Sequence, residues 1–182
     1  MTNPLLDQFS NRFINPLIVE EFISLLPEGS LPSGKITASN IGARVYNSAA
    51  IPLSTATTTS LTFNSQRWNT SNLHSTATNT GRFTILIPGR YMIGGSVRYA
   101  ANATGWRFAG ILLNGTTYLV QDKKAAITGT TTDIHVQTIY KLKSGDYVEI
   151  QGYQDSGGNL DIEAAGNSSP EFWIEKLADQ FI

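Results

Sequence analysis

From Arg82 onward the chain alternates apolar and polar residues with a period of two, which predicts strands with one buried face. Arg82-Phe83-Thr84-Ile85-Leu86-Ile87 runs into the corner Pro88-Gly89, where Pro fixes φ and Gly accepts a positive one, so the strand must turn there. Beyond the corner Tyr91, Ile93, Val97 and Tyr99 share one face, with Gly95 between them, and Met92, Gly94, Ser96 and Arg98 share the other. The pair Gly94-Gly95 weakens a strand interior and predicts a bulge or the close approach of another backbone. Trp106 to Leu113 divides into Trp106, Phe108, Leu112 against Arg107, Ala109, Ile111, Leu113. Asn114-Gly115 is a two-residue hairpin signal, with Thr116 to Val120 as the returning strand. Asp133 to Leu142 alternates again, and Tyr147 to Tyr153 points Val148 and Ile150 inward. Arg44-Val45-Tyr46, Ser60 to Phe63 and Phe172 to Leu177 complete the strand set, while Asn64 to Thr80 reads as a long polar loop.

The first 27 residues follow a different period. Asn3-Pro4 and Asn15-Pro16 each put a capping residue before a proline at a first helical position. Leu5, Leu6, Phe9 and Phe13, then Leu17, Ile18, Phe22 and Leu25, recur at helical spacing. Two short amphipathic helices are expected, too short to be stable alone in water. Their apolar faces need a surface: the chain's own domain, a sister chain or another protein. The expected organisation is a helical anchoring arm (1–27) whose contact residues are Leu5, Phe9, Phe13, Leu17, Phe22 and Leu25. A Pro/Gly/Ser linker (28–42), an all-β domain of about ten short antiparallel strands (43–177) and a tail (178–182) follow.

Composition narrows the function. Of the 182 residues only 15% are charged, and the net charge of −1 lacks the basic stripe that nucleic acid requires. There is no cysteine, hence no disulfide, thiol nucleophile or thiolate metal site. No basic n-region precedes an apolar h-region, and no apolar run reaches membrane-spanning length, so neither an export signal nor membrane insertion is expected. His74 and His135, the two histidines, lack the spacing of a zinc site. No Gly-x-Ser-x-Gly elbow, phosphate loop or dinucleotide fingerprint is present, and neither an enzyme nor a cofactor is expected. Asp155, Asn159 and Asp161 place oxygen ligands at calcium-like intervals, but the spacing is not that of an EF-hand, and a Gly-Gly turn explains the segment equally well.

The segment around the Pro-Gly corner carries a resemblance. Phe83, five residues, then Gly89-x-Tyr91-x-Ile93 resembles the signature of the globular head of the complement first-component recognition protein, whose jelly-roll fold is shared with the tumour-necrosis-factor cytokines. Phe63 followed after five residues by Asn69 matches too. Leu142 to Val148 resembles the entry to the family's penultimate strand, and Phe172 to Leu177 sits where its last strand would be. The family pattern continues with two aromatics where this chain has Ile93 and Gly95. The resemblance implies a jelly-roll sandwich that closes into a homotrimer. Several strands are apolar or aromatic on both faces, which also calls for a covering subunit. Tyr147, Tyr153 and Tyr99 are the expected trimer contacts, and Trp68, His74 and Trp106 the candidate ligand contacts.

Two function classes follow. One is a non-catalytic structural protein at the surface of a bacteriophage particle, made in the host cytoplasm and fixed to a capsid or tail protein by the arm, as a decoration or head-fibre protein is. The other is a binding module for a host-surface glycan or protein.

Overall fold

The computed structural model describes residues 41–177. The helical arm with Leu5, Phe9, Phe13, Leu17, Phe22 and Leu25, the linker up to residue 40, and the tail 178–182 lie outside the described residues.

Among the described residues twelve strands form in order: β1 (Gly42–Tyr46), β2 (Ile51–Leu53), β3 (Thr59–Ser60), β4 (Ser65–Asn69), β5 (Arg82–Thr84), β6 (Gly89–Tyr99), β7 (Trp106–Leu113), β8 (Thr117–Ala125), β9 (Thr132–Leu142), β10 (Tyr147–Gln154), β11 (Leu160–Ile162) and β12 (Glu171–Lys176). They make two antiparallel sheets. The larger has seven strands in the order β2-β11-β6-β12-β1-β4, with β9 on the other side of β6. The smaller has five, β3-β10-β7-β8, with β5 also on β10. The sequence reading placed a loop over Asn64 to Thr80, but β4 pairs with β1 there and only a single 3-10 turn, Thr70–Asn72, follows it. Asn69 organises that turn. Its Oδ1 accepts the Leu73 amide at 3.0 Å and its Nδ2 donates to the His74 carbonyl at 2.8 Å.

The inward faces of the two sheets bury one continuous apolar core that includes Val45, Phe63, Phe83, Tyr91, Ile93, Val97, Ile111, Val136, Ile150, Phe172 and Ile174. Burial of such side chains is the main favourable term in the fold. Phe172 of β12 stacks on Phe83 of β5 at 4.5 Å between ring centroids and on Phe63 at 5.8 Å, joining the sheets. Phe63, Phe83, Tyr91 and Ile93, which carry the sequence signature, are all fully buried. The Tyr91 hydroxyl donates to the Ile87 carbonyl at 2.6 Å and so closes the Pro88-Gly89 corner.

Gly94-Gly95 is not a bulge. The register of β6 runs unbroken through both residues on β12 and on β9. What approaches is side chain. A Cβ at Gly95 would stand 2.3 Å from Ile150 Cδ1 of the opposite sheet, and one at Gly94 2.4 Å from Cζ2 of Trp173. The two glycines let one sheet receive Ile150 inside and the Trp173 ring outside.

At the Asn114-Gly115 turn both residues have positive φ (50° and 70°), as a type I′ hairpin demands. The return strand β8 is longer than the sequence pattern indicated. It continues through Gln121-Asp122-Lys123-Lys124, charges suited to a strand on a sheet edge.

Candidate interaction surfaces

On the outer face of the larger sheet, directly opposed residues share a side, which places Glu175, Met92 and Ile139 in one row across β12, β6 and β9. Arg44, Trp173 and Gly94 form the next row, with Trp68 opposite Arg44 on β4. Three of these side chains remain markedly exposed: Trp68 at 40%, Met92 at 39% and Ile139 at 60%. Arg44, Trp68, Met92, Trp173, Ile174 and Glu175 line a groove of about 320 Å³. Large apolar side chains clustered on one sheet face, rather than scattered, mark an interaction surface.

Beside the groove lies a buried carboxylate. Glu171 is 1% exposed and receives Arg44 Nε at 2.7 Å and Arg67 Nη2 at 2.6 Å. The guanidinium of Arg67 also lies over the Tyr46 ring at 4.2 Å. Arg44 donates to the Asn167 carbonyl and Arg67 to that of Gly166, so the cluster pins the segment before β12 to the sheet. The carboxylate beside Arg67 holds that guanidinium above its ordinary pKa. Two guanidinium groups share one carboxylate here, so the buried Glu171 has charged hydrogen-bond partners on both oxygens.

Tyr99 is corrected. It is fully buried, its hydroxyl donates to the Phe108 carbonyl and accepts the Tyr153 amide at 3.1 Å, and burial raises its pKa. It braces the larger sheet against β7 and β10 and cannot meet another subunit. Tyr147 and Tyr153 lie on the outer face of the smaller sheet, where their own chain covers them. Arg82 sits 4.6 Å above the Tyr147 ring, and Trp106 stacks on Tyr153 at 4.4 Å.

The candidate ligand contacts do not converge. Trp68 belongs to the groove. Trp106 lies on the smaller sheet, with Lys123 Nζ 3.5 Å above its ring. A hollow of about 400 Å³ lies next to it, lined by Trp106, Phe108, Gln121, Asp122 and Lys123. His74 is buried rather than exposed on a loop. Gln66 Nε2 donates to its Nδ1 at 3.1 Å, so Nε2 carries the proton and donates to the Thr80 carbonyl at 3.0 Å. Burial lowers the pKa of His74, against a smaller opposing effect of the Thr80 carbonyl. The unfolded chain therefore binds the proton more readily than the folded one. Stability conferred by neutral His74 is complete above about pH 6.5 and falls as pH drops through that value. The loss of melting temperature between pH 7.5 and pH 5.5 is expected to be smaller in His74→Gln than in the parent chain.

The acidic loop is a turn held from within. Gln154, fully buried, donates to the carbonyls of Leu53 (3.0 Å) and Gly158 (2.8 Å) and accepts the Ser156 amide at 2.7 Å. Asp155 accepts the Trp106 amide. Asn159 is exposed in the turn, and Asp161 is exposed on β11, paired with Pro52. Among the described residues no three His, Asp or Glu side chains converge on a point that could hold a metal. No described helix is long and apolar enough to cross a membrane.

Sequence reasoning missed Arg107. Alternation puts it on the inward face with Ala109 and Ile111, and it is indeed fully buried. Its guanidinium donates to the carbonyls of Thr104, Trp106 and Asn102, which fastens the loop before β7. The pattern alone held the signal: alternation puts Arg107 inward, and the planar spread of its Nη1 and Nη2 donors reaches three carbonyls of one loop.

No family model matches the chain, and no curated protein matches it. Solved structures do. The structure of Eiger TNF from S. frugiperda superimposes with a TM-score of 0.58 at 16% identity, over 79% of this chain and 96% of that one. The globular domain of zebrafish complement 1qA protein gives 0.56 at 14% identity, over 78% and 99%. Murine APRIL gives 0.56 at 10% identity, over 76% and 99%. Identities this low speak for the backbone alone. The described chain has the jelly-roll fold of the tumour-necrosis-factor cytokines and the complement first-component globular heads.

Proposed function

We propose that this chain is a non-catalytic homotrimeric interaction module, assembled through the outer face of its larger sheet and carried on a larger particle by residues 1–27. The observation that carries the reading is the set of exposed Trp68, Met92 and Ile139 in two adjacent rows of that one face. A lone two-layer sandwich would present polar residues there. The jelly-roll fold supports a threefold assembly. The arm's capped amphipathic pattern supports an attachment role, as in a bacteriophage capsid-decoration or head-fibre protein at the virion surface. Deleting residues 1–27 is expected to leave the assembled head intact and to abolish its co-sedimentation with the particle. A truncated chain that still joins the particle contradicts the anchoring role.

A second reading, recognition of a host-surface glycan, draws on the hollow beside Phe108. Aromatic rings next to amide, carboxylate and amine groups suit the apolar face and the hydroxyls of a pyranose. The hollow lies on the smaller sheet, away from the assembly face, so both readings can hold in one protein. A glycan array probed with the intact protein, beside a Phe108→Ser variant, tests it. Binding that is lost in the variant supports recognition there, and no binding by either rejects it.

A further inference from the structure

The outer face of the smaller sheet carries a cluster of rings locked by their own neighbours. Tyr153, Phe108 and Lys123 stand directly opposed across β10, β7 and β8, so their side chains share that face. Trp106, two residues before Phe108, lies on the same side. Tyr153 stacks on Trp106 at 4.4 Å, and Lys123 Nζ lies 3.5 Å over the Trp106 ring. Gly110, two residues after Phe108, leaves room for the rings beside it. A Cβ there would stand 2.7 Å from Phe108 Cζ and 2.9 Å from the Tyr118 ring. Phe108 meets Tyr118 edge to face at 5.5 Å, and the Tyr118 hydroxyl donates to Gln151 Oε1 at 2.6 Å. This aromatic floor is held in place before any ligand arrives, which lowers the entropy cost of binding.

Two charged residues line the hollow beside this floor, Asp122 and Lys123. Asp122 is already engaged. Its Oδ1 accepts the Lys123 amide at 2.8 Å, and its Oδ2 lies 4.0 Å from Lys124 Nζ, which itself donates to the Asp133 carbonyl at 2.7 Å. Further along the face, Glu149 of β10 stands opposite Arg82 of β5. Lys123 is different: it is exposed and has no ion-pair partner among the described residues. The Trp106 ring holds its ammonium but does not neutralise it, and the N–H donors turned away from the ring stay available. A surface lysine ordinarily loses rotamer entropy when a ligand fixes it. Here the ring has fixed it beforehand. The uncompensated charge of the hollow is therefore one positioned cation.

Resting on the glycan reading of this hollow, we infer that the sugar it takes is acidic. It is a pyranose bearing a carboxylate, whose apolar face lies on Phe108 and whose carboxylate pairs with Lys123 Nζ. Gln121, also in the lining, offers one amide donor and one acceptor group to the ring hydroxyls. A neutral sugar leaves the ammonium to water, whereas an acidic one gives it a charge-assisted hydrogen bond. Asp122 opposes the carboxylate little, because Lys124 offsets its charge. Phe108 is the platform that any pyranose would use, and Lys123 is the residue that selects among them.

The test is a saturation-transfer NMR titration of the full chain with two pairs of sugars, methyl glucuronide against methyl glucoside and sialyllactose against lactose. Circular dichroism and melting serve as fold controls. In at least one pair the acidic member is expected to bind at least about fivefold more tightly, the yield of one charged hydrogen bond at an exposed site. Lys123→Gln is expected to bring that ratio to about one, and Lys123→Arg, which keeps a cation over the ring, to preserve it within about threefold. Phe108→Ser is expected to lose both members of the pair. Equal binding of acidic and neutral sugars by the parent chain overturns the acidic preference and leaves the glycan reading standing. A preference that survives Lys123→Gln, or a Lys123→Gln variant that loses both members alike, overturns the role of Lys123. A preference that survives Phe108→Ser puts the sugar elsewhere and overturns the site. A parent chain that binds none of the four sugars, and nothing on the array, removes the glycan reading itself.

Discussion

Replacing Phe172 by alanine is expected to destabilise the domain by about 3–5 kcal/mol, the cost of removing a large aromatic from a tight core. The upper part of that range applies for a local reason. Phe172 stacks on Phe83 at 4.5 Å and on Phe63 at 5.8 Å, so its ring is the contact through which β12 holds β5 and the segment before β4. Phe172 itself sits on β12, held by ladders to β1 on one side and β6 on the other, so the backbone around it has little freedom to close the space left behind. Relaxation is what lowers the cost of such a deletion, and here it is restricted. Typical domains have about 5–15 kcal/mol in total, so the change takes up a large share of it. Urea unfolding followed by tryptophan fluorescence measures the effect. Phe172→Leu, which keeps most of the volume, is expected to lose less than half as much.

The second large effect concerns assembly rather than folding. Ile139→Asp is expected to dissociate the protein, raising the concentration at half-assembly by at least about a hundredfold, because it sets an unpaired carboxylate in the apolar face proposed as the subunit contact. The side chain is 60% exposed in the single chain, so the melting temperature of the separated subunit is expected to change little. Substitution of a merely structural residue would behave differently, losing stability and assembly together. Size-exclusion chromatography with light scattering distinguishes the two.

The parts of this fold that showed in the sequence are those where burial is one-sided. In β6, Tyr91, Ile93, Val97 and Tyr99 alternate with smaller or polar residues because one face meets the core. The same holds for Ile134 and Val136 of β9 and for Val148 and Ile150 of β10. Asn114-Gly115 showed because positive φ at two successive positions admits few residue types. The strands β2 and β11, of three residues each, are too short to display a period. The edge strand β4 has no fully buried residue, so Ser65-Gln66-Arg67-Trp68-Asn69 reads as loop until β1 pairs with it. The charges of β8 hid its length, since a strand on an open edge carries lysines for solubility.

The candidate surface was less legible than the fold. Alternation shows which residues share a face, but not which of two faces another sheet will cover. Tyr99 shares its side of β6 with the core residues Tyr91 and Ile93, and the structure keeps it there, while Met92 on the opposite side reaches the surface. Trp68 and Met92 come to line one groove only through the order β4-β1-β12-β6, a relation no local pattern encodes. Glu171 is similar. Nothing around it in the sequence marks a buried acid, because Arg44 and Arg67 arrive from strands more than a hundred residues earlier. His74 looked exposed because Ser, Thr and Asn surround it, whereas its ring edge packs on Phe83 at 5.9 Å.

Sedimentation equilibrium of the full chain tests most directly whether the apolar outer face of the larger sheet is a subunit interface. A single species at three times the 19.8 kDa chain mass, converted to the monomer by Ile139→Asp, is the predicted result. A parent chain that stays at 19.8 kDa across the accessible concentrations would contradict it.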